Sequence, residues 1–390
     1  MRKGEVLQMN KIKNWRRTIL CTQCDKNELQ VNGKIKALNK REEKISMLQL
    51  LLATSNGLLT KSNCISDKIL LLARSYLPVI QFWMDENKDG GLILNEDSNK
   101  ILRDFSRTAR CGEVAQGINY IIAKRLMRSS SGAWVDTIYD YDDYIENKCA
   151  IPSKYSGRKP DYVLVYQDGT VGVLESKGSL GNEKIYSMRS GLEQCKNGAK
   201  FLNDHKIACC NFYVGLVLMA QNKKRDCVNA YFADPKNECT YPYVIPYNAW
   251  MYEYAKFFYL AGDYNAAESL IKGEVLSDNI QRPTLETLCA TNDSPINWSM
   301  QFERNSSFLQ KNDYIIGQWD VVTGMHGEIT KIVMGVTENT MEVLQGRSEQ
   351  LKVNAEMQNT HEGHYIENNT NSTYTEYGEL FPDGTFLFIV

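Results

Sequence analysis

Residues 159–177 read KPDYVLVYQDGTVGVLESK, in which two short apolar runs flank a Gln-Asp-Gly turn. This pattern predicts a β-hairpin. A three-residue loop with Gly169 in the left-handed backbone region would place Asp161 opposite Glu175. A two-residue Asp-Gly loop would instead place Asp161 opposite Ser176, whose side chain is on the other face of the strand. The three-residue loop is therefore the one that brings the two carboxylates together.

The hairpin also carries a lysine at a useful position. Glu175 and Lys177 are two residues apart, so on a strand their side chains share one face. Two neighbouring carboxylates repel each other, and Mg²⁺ suits one or two carboxylates together with waters and phosphate oxygens. Such a metal would lower the pKa of a bound water, while Lys177 would orient that water or offset phosphoryl charge. The sequence therefore predicts a Mg²⁺ site, in which Mn²⁺ would substitute, at Asp161 and Glu175.

Pro160-Asp161 and Glu175-Ser176-Lys177 resemble the two halves of the motif of the PD-(D/E)xK nuclease superfamily, which has the restriction-endonuclease-like fold. The resemblance covers roughly residues 105–235 and implies an α/β protein with an αβββαβ core. The matching elements are a helix over 110–126, a strand over 133–139, the hairpin, a helix over 186–202 and a strand over 211–220. This resemblance implies a Mg²⁺-dependent endonuclease whose partner is nucleic acid, DNA more than RNA.

The resemblance also implies further site residues. Glu113 matches an acidic residue that the first core helix often carries, so it is expected to start that helix and point toward Asp161 and Glu175. Gln194 matches a glutamine found in several branches of the superfamily. The implied catalytic residues are Asp161, Glu175, Lys177, Glu113 and Gln194, and the implied metal ligands are Asp161, Glu175, Glu113 and the backbone carbonyl of Ser176.

Each of these residues also has a structural interpretation. The hairpin acids and Lys177 would form a surface ion pair, Glu113 would be a helix-terminal acid favoured by the helix dipole, and Gln194 would be an exposed helical residue.

The chain of 390 residues is long enough for two or three domains, and its 43% apolar and 24% charged residues are typical of a globular protein. The predicted organisation has four parts. They are a mainly helical N-terminal region over 1–104, the nuclease-like core over 105–240, a helical segment over 241–290 and a β-rich acidic C-terminal domain over 291–390.

Charge is unevenly distributed, although the net charge is only −2. Residues 1–44 hold twelve Lys/Arg and five Asp/Glu, whereas residues 291–390 hold five Lys/Arg and fourteen Asp/Glu. The basic start would either contact phosphates or form a solvated helical face. The acidic C-terminal domain is expected to bind a protein partner or a second copy. Basic residues expected at the rim of the nucleic-acid face are Lys154, Arg158, Lys159 and Lys184.

Other functional classes are poorly supported by the sequence. No apolar run is long enough to span a membrane, and no signal-peptide pattern is present, so a cytoplasmic protein is expected. There is no Walker A loop, no dinucleotide-binding glycine motif and no GxSxG elbow. The four histidines, His205, His326, His361 and His364, lack the spacing of histidine-based hydrolases. His361 and His364 lie in a polar loop, where they would either bind a metal or be ordinary surface residues, and the second is expected.

The eleven cysteines show no disulfide framework, which favours reduced thiols. Cys21 and Cys24 form a CxxC pair, but structural zinc needs four ligands, and Cys64 is distant in sequence. Zinc binding therefore stays an alternative to two incidental thiols near a turn.

Two functions follow from the sequence. The first is a metal-dependent nuclease, which by analogy would suit prokaryotic defence or a mobile element. The second is a non-catalytic nucleic-acid-binding or assembly subunit with the same fold. The intact set of Asp161, Glu175 and Lys177 favours the nuclease.

Overall fold

The computed structural model describes most of the chain and divides it into two compact units. The described residues are 13–25, 27–59, 67–95, 100, 104–151, 157–180, 184–207, 209–219, 227–233, 249–277, 282–291, 294–322, 329–347, 373–375 and 377–390. The large unit comprises the described parts of residues 16–260 and 265–274, and the small unit those of residues 1–15, 261–264 and 275–390. This division differs from the four predicted segments, because residues 16–104 and the predicted core belong to the same unit.

The large unit is built on a seven-stranded mixed sheet. Its seven strands are β1 (Arg16–Cys24), β2 (Ala37–Ser46), β5 (Val135–Asp140), β6 (Tyr162–Tyr166), β7 (Val171–Ser179), β8 (Cys209–Leu218) and β9 (Asn229–Ala233). Two short strands, β3 (Met84–Glu86) and β4 (Leu92–Leu94), form a separate pair. The main sheet has the order β2-β1-β9-β8-β7-β6-β5, and β3 pairs with β4. The predicted α/β class is confirmed by this sheet and the helices around it.

Among the described residues up to 271, the helices are α1 (Met47–Leu58), α2 (Asp67–Arg74), α3 (Tyr76–Trp83), α4 (Asp104–Leu126), α5 (Tyr141–Asp143), α6 (Lys184–Asp204), α7 (Met251–Ala261) and α8 (Tyr264–Ile271). Two π-helical turns cover Glu28–Asn32 and Tyr144–Lys148. None of the helices in the described residues is long and apolar enough to cross a bilayer.

The N-terminal region is only partly helical, in contrast to the prediction, because residues 16–24 and 37–46 form strands β1 and β2 before the first long helix. Strand β2 reads ALNKREEKIS, whose lysine, arginine and glutamate residues also favour a helix. In the structure β2 is an edge strand, where such charges discourage pairing with other chains. Strand β1 pairs in parallel with β9, a contact between distant residues that no local pattern reveals.

The hairpin has the predicted register. Strands β6 and β7 are antiparallel, with Tyr162 opposite Leu174. The amide of Tyr166 donates to the carbonyl of Thr170 at 3.0 Å. Gly169 has a φ of 78°, the left-handed conformation that the three-residue loop requires. The predicted loop is therefore confirmed, and the same register places Asp161 opposite Glu175.

Helices α4 and α6 cover opposite faces of the sheet. Helix α6 packs against apolar side chains such as Val163, Val173 and Val214. Helix α4 lies so close to β7 that a Cβ on Gly178 would be 2.6 Å from the carbonyl oxygen of Cys111. Because side chains alternate along a strand, Glu175 and Lys177 face α6, whereas Ser176 faces α4.

The small unit is a five-stranded antiparallel sheet with short helices. Its elements are α9 (Leu285–Ala290), α10 (Trp298–Arg304), β10 (Tyr314–Val322), β11 (Ile329–Val336), α11 (Glu338–Leu344), β12 (Thr373–Tyr374), β13 (Gly378–Leu380) and β14 (Thr385–Ile389). The sheet order is β10-β11-β14-β13-β12. Strand β14, at the end of the chain, is central in this sheet, and the predicted β-rich character of this region is thus present. Helix α11 is capped by Thr337, whose side chain accepts from the amide of Thr340.

Candidate active site

Two carboxyl groups meet where β6 begins and β7 passes beside it. Asp161 immediately precedes β6, and its Oδ2 accepts a hydrogen bond from the amide of Ser176 at 2.8 Å. Glu175 is only 1% exposed. Its Cγ is 3.3 Å from where a Cβ on Gly191 of helix α6 would be, which places this carboxyl between the sheet and the helix. The predicted pairing of Asp161 with Glu175 at one end of the hairpin is thus present.

The environment makes both groups hold a proton more tightly than in water. Burial, followed by the neighbouring charge of Asp161, raises the pKa of Glu175 to about 7, against the opposing effect of Lys177. Burial also raises the pKa of Asp161, although the amide of Ser176 and the ammonium of Lys177 oppose the change. Two ionised carboxylates are therefore unfavourable here unless a positive charge joins them.

One oxygen of the pair makes no hydrogen bond of good geometry. Oε2 of Glu175 is buried and has no such partner among the described residues, although the backbone and carboxyl of Asp161 lie close enough to influence the pKa of Glu175. A buried acceptor without a donor is costly, and more so when it carries charge. Carboxylate oxygens are the ligands that Mg²⁺ and Mn²⁺ prefer. The donor set at Asp161 and Glu175 therefore fits a hard divalent cation.

Lys177 and Gln194 complete the cluster on the same face. The ammonium of Lys177 contacts Oε1 of Glu175 and donates to Oε1 of Gln194 at 3.1 Å. Gln194 in turn donates from Nε2 to the carbonyl of Lys159 at 2.9 Å. The side chain of Lys177 is 29% exposed, so its ammonium lies at the boundary between the buried pair and solvent. Gln194 is consequently a bridging residue and not simply an exposed one.

Glu113 does not join the cluster. Glu113 was predicted to start this helix, but it lies inside α4, which covers Asp104–Leu126. Its carboxylate pairs with Arg110 at 2.8 Å. Helix α4 also covers the sheet face opposite to the one that carries Glu175. In the described part of the chain, no group of three or more His, Cys, Asp and Glu side chains could hold a metal ion. The order of elements alone did not determine which turn of α4 lies near the hairpin.

The basic residues expected at the rim are only partly described. Lys159 forms an ion pair with Asp142 at 2.7 Å, and Arg158 is exposed. Lys154 and the side chain of Lys184 lie outside the described residues, as do Cys64, His326, His361 and His364.

Cys21 and Cys24 are both buried, and burial raises the pKa of each thiol to about 12. Neither thiol belongs to a group of three or more candidate metal ligands within the described residues. Cys64 lies outside those residues, so zinc binding by this pair stays an alternative.

Several residues around the site were not identified from the sequence. Tyr141 donates from its backbone amide to the carbonyl of Asp161 at 3.0 Å and from its hydroxyl to the carbonyl of Gly198 at 2.9 Å. On the other sheet face, Asn119 donates to Ser176 Oγ at 2.8 Å. The sequence did contain a signal for Gly198. Gly191 and Gly198 are seven residues apart within α6, and glycines inside a helix indicate a face that packs closely against a neighbouring element.

The described site thus combines the buried carboxyl of Glu175 and the partly buried carboxyl of Asp161 with the ammonium of Lys177 and the amide of Gln194. This arrangement suits binding of a cation beside a negatively charged substrate. Comparisons with protein-family models, with curated proteins and with solved structures gave no match to the chain.

Proposed function

We propose that this chain is a metal-dependent nuclease that hydrolyses phosphodiester bonds in DNA. The observation that carries the proposal is the buried, unpartnered Oε2 of Glu175 beside Asp161, with Lys177 on the same face. A divalent cation between the carboxyls would supply the missing partner and offset their repulsion.

The order of elements supports a nuclease-like core. Helix α4, strands β5, β6 and β7, helix α6 and strand β8 follow one another as α, β, β, β, α, β, with the short helix α5 and a π-helical turn inserted after β5. This is the order implied by the resemblance to the PD-(D/E)xK superfamily. Pro160-Asp161 immediately precedes β6, and Glu175-Ser176-Lys177 lies on β7. We therefore infer a restriction-endonuclease-like core within the large unit.

The roles of the residues follow from their positions. Asp161 and Glu175 would hold Mg²⁺ or Mn²⁺, with the carbonyl of Ser176 as a further ligand. When bound, the metal would supply an acidified water and charge stabilisation at the phosphoryl oxygens. Lys177 adds a positive charge at the solvent-facing side of the pair, where a phosphate would approach. Gln194 holds the ammonium of Lys177 in place.

The test is a cleavage assay on plasmid, linear duplex, single-stranded DNA and RNA, each with Mg²⁺, with Mn²⁺ or with EDTA. We expect metal-dependent cleavage by the wild type and its loss in Asp161→Asn and Lys177→Met. Lys36→Met is a matched control, because Lys36 is 61% exposed and pairs with Asp25 at 3.8 Å. Cleavage that survives in Asp161→Asn would refute the assignment. A wild type that cuts none of these substrates would favour the non-catalytic nucleic-acid-binding or assembly subunit.

A further inference from the structure

Three consecutive residues that lead into β6 are each held by a different neighbour. The carbonyl of Lys159 accepts from Gln194, and the carbonyl of Asp161 accepts from the amide of Tyr141. Between them, the ring of Pro160 packs against Gly198 of helix α6. The segment 159–161 is therefore fixed along its length before the Asp161 side chain turns toward Ser176.

Gly198 is the closest of these contacts. A Cβ at this position would be 2.5 Å from Cδ and 2.6 Å from Cγ of Pro160, and 3.1 Å from Cε2 of Tyr141. The proline ring is closed onto its own backbone, so it cannot rotate away as a long side chain would. Glycine inside a helix costs about 1 kcal/mol relative to alanine. Close approach of α6 to Pro160 is the physical reason for a glycine here.

Tyr141 connects the same helix to Asp161. It is 1% exposed, and its hydroxyl donates to the carbonyl of Gly198 while its amide donates to the carbonyl of Asp161. A displacement of α6 from Pro160 would therefore be transmitted to Asp161 by two routes, one through the proline ring and one through Tyr141.

We propose that Gly198 and Tyr141 are positioning residues that fix the backbone of residues 159–161, so that the Asp161 carboxylate stays on the Ser176 amide beside Glu175. The inference rests on the proposed function in one respect: it makes these residues determinants of metal affinity. The alternative is ordinary helix–sheet packing, in which Gly198 contributes to stability and not to the site.

The amide of Ser176 provides a reporter that needs no metal. Its acceptor is Oδ2 of Asp161 at 2.8 Å, so its hydrogen exchange rate reports on the position of that carboxylate. The variant Asp161→Ala removes the acceptor and gives the rate for an unprotected amide. Site-resolved hydrogen exchange of the full chain in EDTA is the first measurement, and Mn²⁺ binding by calorimetry is the second.

We expect Gly198→Ala to raise the exchange rate of Ser176 toward that of Asp161→Ala and to weaken Mn²⁺ binding by about 10-fold or more, as for other residues that orient metal ligands. Adding Pro160→Ala should restore part of both properties, because it removes the ring that the new methyl group meets. Tyr141→Phe is the second variant, for use if Gly198→Ala does not fold. It retains the buried ring and loses only the hydroxyl, and it should change the Ser176 exchange rate and the Mn²⁺ affinity in the same direction. Gly112→Ala is the matched control, since Gly112 lies inside α4 with open space around a Cβ.

The outcomes separate the inference from the proposed function. Lower stability of Gly198→Ala with unchanged Ser176 exchange and unchanged Mn²⁺ affinity would overturn the positioning role. Failure of Pro160→Ala to restore either property would also overturn it, because the contact with the ring would not be the cause. Altered Ser176 exchange in a protein whose wild type binds no Mn²⁺ would support the positioning of Asp161 while refuting the proposed metal site.

Discussion

Replacing Glu175 with glutamine should stabilise the metal-free protein at alkaline pH, because the side chain keeps its shape and loses its charge. Burial and the charge of Asp161 raise the pKa of Glu175 from 4.5 to about 7. Between these values the folded chain holds the proton and the unfolded chain does not. The stability that this proton contributes is complete below the lower pKa and is lost as the pH rises through the upper one.

The magnitude follows from the width of this interval. Each pH unit corresponds to about 1.4 kcal/mol, so ionised Glu175 costs the folded state about 3 kcal/mol at pH 8. Glutamine resembles the protonated side chain and avoids this cost. The pKa of about 7 already includes the opposing attraction of Lys177, so no separate amount is subtracted for the lost ion pair. We therefore expect Glu175→Gln to be about 3 kcal/mol more stable than the wild type at pH 8, and about 1 kcal/mol or less more stable at pH 5.

The assay is urea unfolding of the full chain with EDTA at several pH values from 5 to 8, followed by probes of the large unit. Glu193→Gln is the control, since Glu193 is an exposed glutamate on the same helix, α6. Adding Mg²⁺ should stabilise the wild type and not Glu175→Gln, because only the wild type offers both carboxylates. A difference between wild type and Glu175→Gln that stays constant from pH 5 to 8 would refute the reasoning.

Three further predictions concern single residues. Lys177→Met should lose cleavage while binding Mn²⁺ at least as tightly as the wild type in calorimetry, because it removes a positive charge from Glu175; weaker binding would contradict this. Gln194→Ala should lower the cleavage rate by about 10- to 100-fold with little change in thermal stability, since it holds Lys177 and the carbonyl of Lys159; an unchanged rate would return Gln194 to a structural role. Lys256→Met should lower the free energy of unfolding by about 3 kcal/mol or more in urea, because fully buried Lys256 bonds to Glu253, Tyr120 and the carbonyl of Ile138; the exposed Lys272→Met is its control, and equal stability of the two variants would refute the argument.

The hairpin was predictable because its determinants are local. The Gln-Asp-Gly turn and the alternating apolar residues specify loop length, and loop length specifies which residues face each other. This reasoning correctly placed Asp161, Glu175 and Lys177 together from nineteen consecutive residues.

The rest depended on contacts between distant residues. Whether Glu113 lies near the hairpin depends on how α4 packs on the sheet, and the sequence does not specify which turn of the helix faces the hairpin. The role of Tyr141 depends on its lying between α6 and the segment before β6, although Tyr141 and Gly198 are far apart in sequence. The charged strand β2 matched helix propensity locally, and its pairing with β1 overrode that preference.

The parallel pairing of β1 with β9 has a consequence for how the chain folds during synthesis. About 200 residues separate Cys24 from Asn229, so the first strand leaves the ribosome well before its neighbour exists. At typical translation rates this interval lasts on the order of ten seconds or more. Throughout it, β1 and β2 form at most an isolated hairpin, which is marginally stable in water. Strand β9 therefore joins the two ends of the sheet in a late step, after β5 to β8 and the residues of the proposed site are available to fold.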